Sequence, residues 1–216
     1  MRFIDMKESF LTVVGEYSET TIIEKSKFIC YLKHVENEPD AREFINAIKK
    51  RHFDATHNCS AFIADGDGNL QRFSDDGEPQ GTAGMPMLEA LKGKGVFETV
   101  AVVTRYFGGI KLGAGGLVRA YGGCVSSALN NAEVAEKCLC AVYKINSDYD
   151  KYRLVLKLFE SIVGASVLGQ DFSDGVSVIG AVKVAQIETF LKKLTELFCG
   201  KEDVLELYRD YLIIKG

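Results

Sequence analysis

The chain has 216 residues, 47% hydrophobic and 26% charged, ordinary for a soluble globular protein and enough for one large domain or two small ones. A formal net charge of −4 excludes a global basic field drawing it to nucleic acid or membrane, so any polyanion site has to be local. No stretch approaches about 18 uninterrupted apolar residues and Met1 to Glu8 alternates charges instead of opening a hydrophobic signal, so the chain reads as cytoplasmic, with its six scattered cysteines as reduced thiols.

Thr20 to Val35 is rich in β-branched and aromatic residues and reads as extended. Pro39 and Asp40 then open a helix with Ala41, Phe44, Ile45 and Ile48 on one face. Ala55 to Ala64 is a strand, and Asp65-Gly66-Asp67-Gly68-Asn69 is turn chemistry that returns the chain through Leu70 to Phe73 as a hairpin partner. The same turn imitates the opening of a calcium loop, but Leu70 stands where glycine is needed and Asp76 where a bidentate glutamate belongs. A glycine-rich polar run from Ser74 to Gly84 precedes a helix expected over Thr82 to Leu91, with Thr82 as its cap. Val96 to Arg105 reads as a buried strand. A second glycine-rich run, Thr104 to Gly123, passes into a long amphipathic helix marked by Leu117, Tyr121, Val125, Ala128, Leu129 and Ala132.

From Cys138 the pattern restarts. A strand to Ile145 is followed by a helix through Tyr152, Val155, Phe159, Ile162 and Val163, a strand, a turn at Asp174-Gly175 and another strand. A helix through Ile187, Phe190, Leu191, Leu194 and Phe198 and a strand from Val204 to Ile214 complete it. The order βαββαβ is the ferredoxin-like arrangement, an antiparallel sheet with both helices on one face. The fold class expected is therefore α+β in two domains, 1–137 and 138–216, joined without a Pro- or Ser-rich linker.

Between Gly81 and Asn131, five cations (Lys92, Lys94, Arg105, Lys111, Arg119) face two carboxylates (Glu89, Glu98), a local excess of +3. Glycine at the density of the second run suits backbone that turns with positive φ or lies close to a ligand, and Arg105, Lys111 and Arg119 beside exposed amides suit phosphate. Arg119 lies one turn into the helix, near its positive end, a place where an anion would relieve the charge. Gly108, Gly109, Gly113 and Gly115 are expected to include a residue of positive φ, whereas Gly122 and Gly123 are expected at a close helix crossing. The run is not a P-loop, since Lys111 has neither a glycine before it nor serine or threonine after it. Nor is it a dinucleotide fingerprint, which would need glycine or alanine at Val118. Asp75, Asp76 and Glu78 fit either a carboxylate site beside a phosphate or a solvated turn. His57-Asn58-Cys59 has the residue types of a thiol hydrolase, but such partners meet through the fold and not along one strand, which favours a structural reading.

Ser-Lys-Phe-Ile at 26–29, Ala-Thr-His-Asn-Cys at 55–59, Asp-Asp-Gly-Glu-Pro with Gly-Thr-Ala-Gly, and the run from Thr104 to Tyr121 together resemble the IMPACT family. The resemblance covers roughly Phe10 to Lys137, and the remainder is similar to the smaller C-terminal domain of bacterial members. It implies for 1–137 the β/α sandwich of a small-subunit ribosomal protein's second domain, shared with domain IV of elongation factor G. For 138–216 it implies the fold of that factor's domain V. It further implies a translation-associated regulatory protein whose partner is the ribosome, RNA or a ribosome-associated protein. The expected anion or RNA face comprises Arg105, Tyr106, Gly108, Gly109, Lys111, Gly115 and Arg119. Asp75, Asp76, Glu78, Gly81, Thr82 and His57 support it, with no catalytic residue, metal, cofactor or membrane assigned. The alternative is a metal-assisted hydrolase or transferase acting on a phosphorylated small molecule or nucleotide. It requires Asp75 or Asp76, Arg105 and His57 to converge in one concave pocket.

Overall fold

The computed structural model describes residues 7–173 and 175–214. Met1 to Met6, and Asp174 of the expected Asp174-Gly175 turn, lie outside the described residues. The chain forms two compact units, one of Phe10–Ala135 and the other of Lys7–Ser9 with the chain from Glu136 onward.

In the first unit β1 (Ser9–Val13), β2 (Glu16–Ile23), β3 (Ser26–His34), α1 (Glu38–Arg51), β4 (His57–Ile63), β5 (Gln71–Ser74), α2 (Gly84–Gly93), β6 (Thr99–Tyr106) and α3 (Gly113–Asn131) follow in order. Five strands make one antiparallel sheet in the order β2-β3-β6-β4-β5. β6 takes the middle because Val100, Ala101, Val102 and Val103 bury both of its faces, the pattern of a strand covered on each side. Alternation along β3 separates the two cores. Ile29 and Tyr31 join Ala41, Phe44 and Ile48 of α1, whereas Phe28 meets Tyr121 of α3 edge-on with ring centroids 5.4 Å apart. Helix α1 thus covers one face, and α2 and α3 cover the other.

Thr20 to Val35 is not one extended stretch but parts of β2 and β3 in a hairpin, with Ile23 opposite Ser26. Glu24 and Lys25 form its two-residue turn at φ 45° and 63°, a conformation usually marked by Asn or Gly, so these residue types carried no signal. Helix α1 opens at Glu38 because Asn37 Oδ1 accepts from the Asp40 amide at 2.9 Å. The expected turn between β4 and β5 is closed by Asp65, whose carboxylate accepts from the Gly68 and Leu70 amides at 2.6 and 2.8 Å. β6 begins at Thr99 and not at Val96. The Phe97 amide donates to the Leu11 carbonyl at 2.8 Å, and Glu98 at φ 48° redirects the chain before the strand starts.

The second unit runs β7 (Val134–Ser147), α4 (Tyr149–Glu160), β8 (Ala165–Asp171), β9 (Val176–Lys183), α5 (Ile187–Phe198) and β10 (Asp203–Leu212). These strands are antiparallel in the order β10-β7-β9-β8. Val155, Leu158 and Phe159 of α4 and Phe190, Leu194 and Phe198 of α5 share one core with Ala141, Tyr143, Ile145, Val178 and Val182, so both helices lie on one face. β7 begins at Val134 and not at the expected Cys138; its first four residues alternate between exposed and half-buried and carry no apolar alternation to mark them. The chain is thus α+β with two sheets. Among the described residues no helix is long and apolar enough to cross a membrane.

Candidate functional site

The acidic loop does not gather its carboxylates; it distributes them. Asp75 reaches forward to cap α2, its Oδ1 accepting from the Ala83 and Gly84 amides at 3.0 and 2.8 Å and its Oδ2 from Gly81 at 2.8 Å. This corrects the expected role of Thr82, whose hydroxyl instead donates to the Pro79 carbonyl at 2.7 Å while Ala83 takes the cap position. Burial pushes the Asp75 carboxyl up, but the Gly81, Gly84 and Ala83 amides outweigh it and hold the group below its ordinary range. Asp76 turns to β4 and α1, accepting from the Asn58 amide at 2.7 Å and from Lys49 Nζ at 2.6 Å.

Glu78 points into the interior, where it meets Arg105. Arg105 Nη1 and the Tyr121 hydroxyl each donate to Glu78 Oε1 at 2.7 Å, and the Glu78 and Arg105 side chains are only 4% and 6% exposed. The guanidinium also lies over the rings of Phe28 and Phe107, 5.3 and 5.4 Å from their centroids. Arg105 is therefore not the surface cation expected for an anion face. It sits near the end of the central strand, directed into the core beneath α3, where a buried charge demands a partner. His57 flanks the pair: its Nδ1 donates to the Asp76 carbonyl at 2.9 Å and its Nε2 is 3.8 Å from Glu78 Oε2. Cys59 donates to the Asp75 carbonyl at 2.9 Å, and burial pushes its thiol up to about 12, which removes it as a nucleophile at neutral pH. Among the described residues no group of three His, Cys, Asp or Glu side chains is placed to hold a metal ion.

Of the three cations expected to hold an anion, Lys111 and Arg119 do reach solvent. With Ile23, Glu24, Ile110, Leu112, Gly116 and Ala120 they line an open cavity of about 420 Å³ between the β2–β3 turn and the start of α3. The Arg119 guanidinium folds back over the first turn of its helix, 3.6 Å from where a Cβ on Gly115 would stand. That first turn has no side-chain cap. Gly109 and Gly113 adopt φ 88° and 70° with open space around them, whereas Gly108 is architectural: an added Cβ would stand 2.0 Å from the Lys25 carbonyl. Gly108 also donates its amide to Ser26 Oγ at 3.2 Å, which ties the glycine loop to the hairpin turn and brings exposed Lys25 and Lys27 to the same end of the sheet. Gly122 lies near α2, its added Cβ 3.4 Å from the Pro86 carbonyl, but Gly123 faces open space, so only one of the two helix glycines is at a crossing.

Tyr106 belongs to a side-chain chain at this end of the sheet. The Tyr31 hydroxyl donates to His52 Nε2 at 2.6 Å, His52 Nδ1 donates to the Tyr106 hydroxyl at 2.9 Å, and that hydroxyl donates to Asp54 at 3.0 Å. Burial, with Arg51 adding to it, holds His52 below the ordinary imidazole range, consistent with the neutral ring this pattern needs.

Residues 24–129 match the family profile described as the Impact N-terminal domain. "IMPACT family member YvyE" of Bacillus subtilis (strain 168) is 44% identical over 209 residues, covering 96% of this chain and 95% of that protein. The chain belongs to the IMPACT family. "IMPACT family member YigZ" of Escherichia coli (strain K12) is 37% identical over 202 residues, 93% of this chain and 98% of that protein. "Protein IMPACT homolog" of Dictyostelium discoideum is 36% identical over 103 residues, 45% of this chain and 29% of that protein. A solved structure described as "Crystal structure of an hypothetical protein" aligns with a TM-score of 0.62 at 36% identity, covering 94% of this chain and 99% of that one.

The IMPACT-matched segment contains every residue of the candidate face. It also contains three that sequence reasoning left out: Lys25, Lys27 and Phe107. Lys27 stands in Ser-Lys-Phe-Ile and Phe107 in the second glycine run, so both lie in stretches that the motifs single out. The signal missing from the sequence is the pairing of β3 with β6, which sets Lys27 opposite Tyr106.

Proposed function

We propose that the chain is a cytoplasmic, non-enzymatic protein that regulates translation by binding RNA, at the ribosome or with a ribosome-associated partner. The face is that of Lys111 and Arg119 with Lys25 in the adjoining hairpin turn; Lys27 stands at the same end of the sheet on its α1 side. The observation that carries this reading is Arg119, an exposed guanidinium beside the uncapped first turn of its own helix that lines one open cavity with Lys111. Such an arrangement is unfavourable alone and favourable with a phosphate in place. We read the first unit as the sandwich of a ribosomal protein's second domain. The second, with its strand order β10-β7-β9-β8, reads as ferredoxin-like, and both analogies favour the ribosome. The metal-assisted hydrolase is not favoured, because Asp75, Asp76 and Glu78 are engaged by three different sets of structural partners and Arg105 is buried against one of them.

The test is co-sedimentation with ribosomal subunits, and binding to ribosomal RNA, across a range of salt concentrations. Substituting Lys111→Ala and Arg119→Ala together is expected to weaken association and to reduce the slope of log affinity against log salt by about one unit for each phosphate the variant no longer neutralises. An unchanged affinity and slope would remove this face from the reading.

A further inference from the structure

Resting on the RNA-binding reading above, we infer that the Phe107 ring is a stacking platform for a base of single-stranded RNA, whose phosphates lie on the neighbouring cations. Phe107 is 47% exposed, yet it is held in place. Its amide donates to Thr56 Oγ1 at 3.0 Å, and the Arg105 guanidinium lies over its ring. That guanidinium is itself fixed by Glu78, so an ordered charge supports the ring from the protein side and leaves aromatic surface open to solvent. Bases stack on such surfaces with little regard to sequence, because every base has a π-face.

The surroundings supply cations for the phosphates of such a strand. Lys25 abuts Gly108, next in sequence to Phe107, and Lys111 and Arg119 line the cavity beside the same hairpin turn, while Lys27 stands at this end of the sheet on its α1 side, 6.0 Å from the Tyr106 ring centroid. An RNA duplex presents phosphates but keeps its bases paired and stacked, so it would engage the cations and leave the Phe107 ring idle. One open aromatic ring beside cations fits the unpaired strand.

The chain contains no tryptophan, so Phe107→Trp introduces a single indole whose fluorescence reports on its own environment. This variant, titrated with a single-stranded RNA of about a dozen nucleotides, is expected to be quenched, and the same RNA annealed to its complement is expected to quench it far less. Phe107→Ala is expected to lower single-strand affinity between about fivefold and about 150-fold while leaving duplex affinity unchanged. Single-stranded RNA bound without quenching, or bound as tightly by Phe107→Ala, would overturn the inference while leaving the cationic face standing and Phe107 free for a protein partner. Failure of the unmodified chain to bind either RNA would overturn the RNA-binding reading and this inference together.

Discussion

Glu78 and Arg105 are separated by 27 positions, yet their side chains meet at 2.7 Å in the interior of the first unit. Breaking a buried pair from one side leaves an uncompensated charge, so Glu78→Ala is expected to cost about 3–5 kcal/mol of unfolding free energy. Glu78→Gln, which keeps an oxygen for the Tyr121 hydroxyl, is expected to cost less. Urea titration monitored by circular dichroism measures both, and a loss under about 1 kcal/mol for the alanine variant would show that the core does not depend on the pair.

Asp75 makes stability depend on acid. Although burial pushes this carboxyl up, its three amide donors win and hold it below the ordinary range. A group whose native pKa lies below its unfolded value contributes stability in full above the unfolded value, near 3.9, and loses it as pH falls through the native one. Asp75→Ala is therefore expected to cost about 1 kcal/mol or more at neutral pH, with the gap from the unaltered chain narrowing in acid. Denaturant midpoints at neutral pH and at about pH 3 decide it, and a gap that widened in acid would contradict the sign.

Two glycines of the second run are expected to respond to alanine in opposite directions. At Gly108 the new methyl would collide with the backbone of Lys25, 2.0 Å away, and the cost is expected to exceed about 1–3 kcal/mol. At Gly123, inside α3 and facing open space, alanine lowers the entropy of the unfolded chain and is expected to gain about 0.5–1 kcal/mol. Thermal melts of the two variants read both signs.

Cys199 is exposed and the other five cysteines are buried. It also ends α5 at φ 53°, the left-handed position that glycine fills without strain. Iodoacetamide applied to the native protein is expected to modify Cys199 rapidly and the rest only upon unfolding, which peptide mass mapping resolves. Cys199→Gly is expected to remove that reactivity and raise stability by about 1 kcal/mol. Rapid labelling of Cys59 or Cys124 would show that their strand or helix opens more readily than their burial implies.

Much of this protein was legible in its sequence because much of it is local. The hairpin at Asp65, the helix of Phe44 and Ile48, the βαββαβ order of the second unit and the family motifs depend on residues near each other along the chain, and periodicity and turn chemistry report such relations directly. The hairpin at Glu24-Lys25 escaped because neither residue advertises positive φ. The fate of the charges is a different matter. Arg105 and Arg119 occupy the same glycine-rich run, yet one is buried against Glu78 and Tyr121 while the other lies in solvent over a helix end. Their neighbours separate them only as the end of a buried strand and the first turns of a helix, which names no partner for either. Strand order and helix placement decide what each side chain meets, and whether a charge is paired in the core or free to meet a ligand is set by residues far away in the chain, which only the tertiary structure brings together.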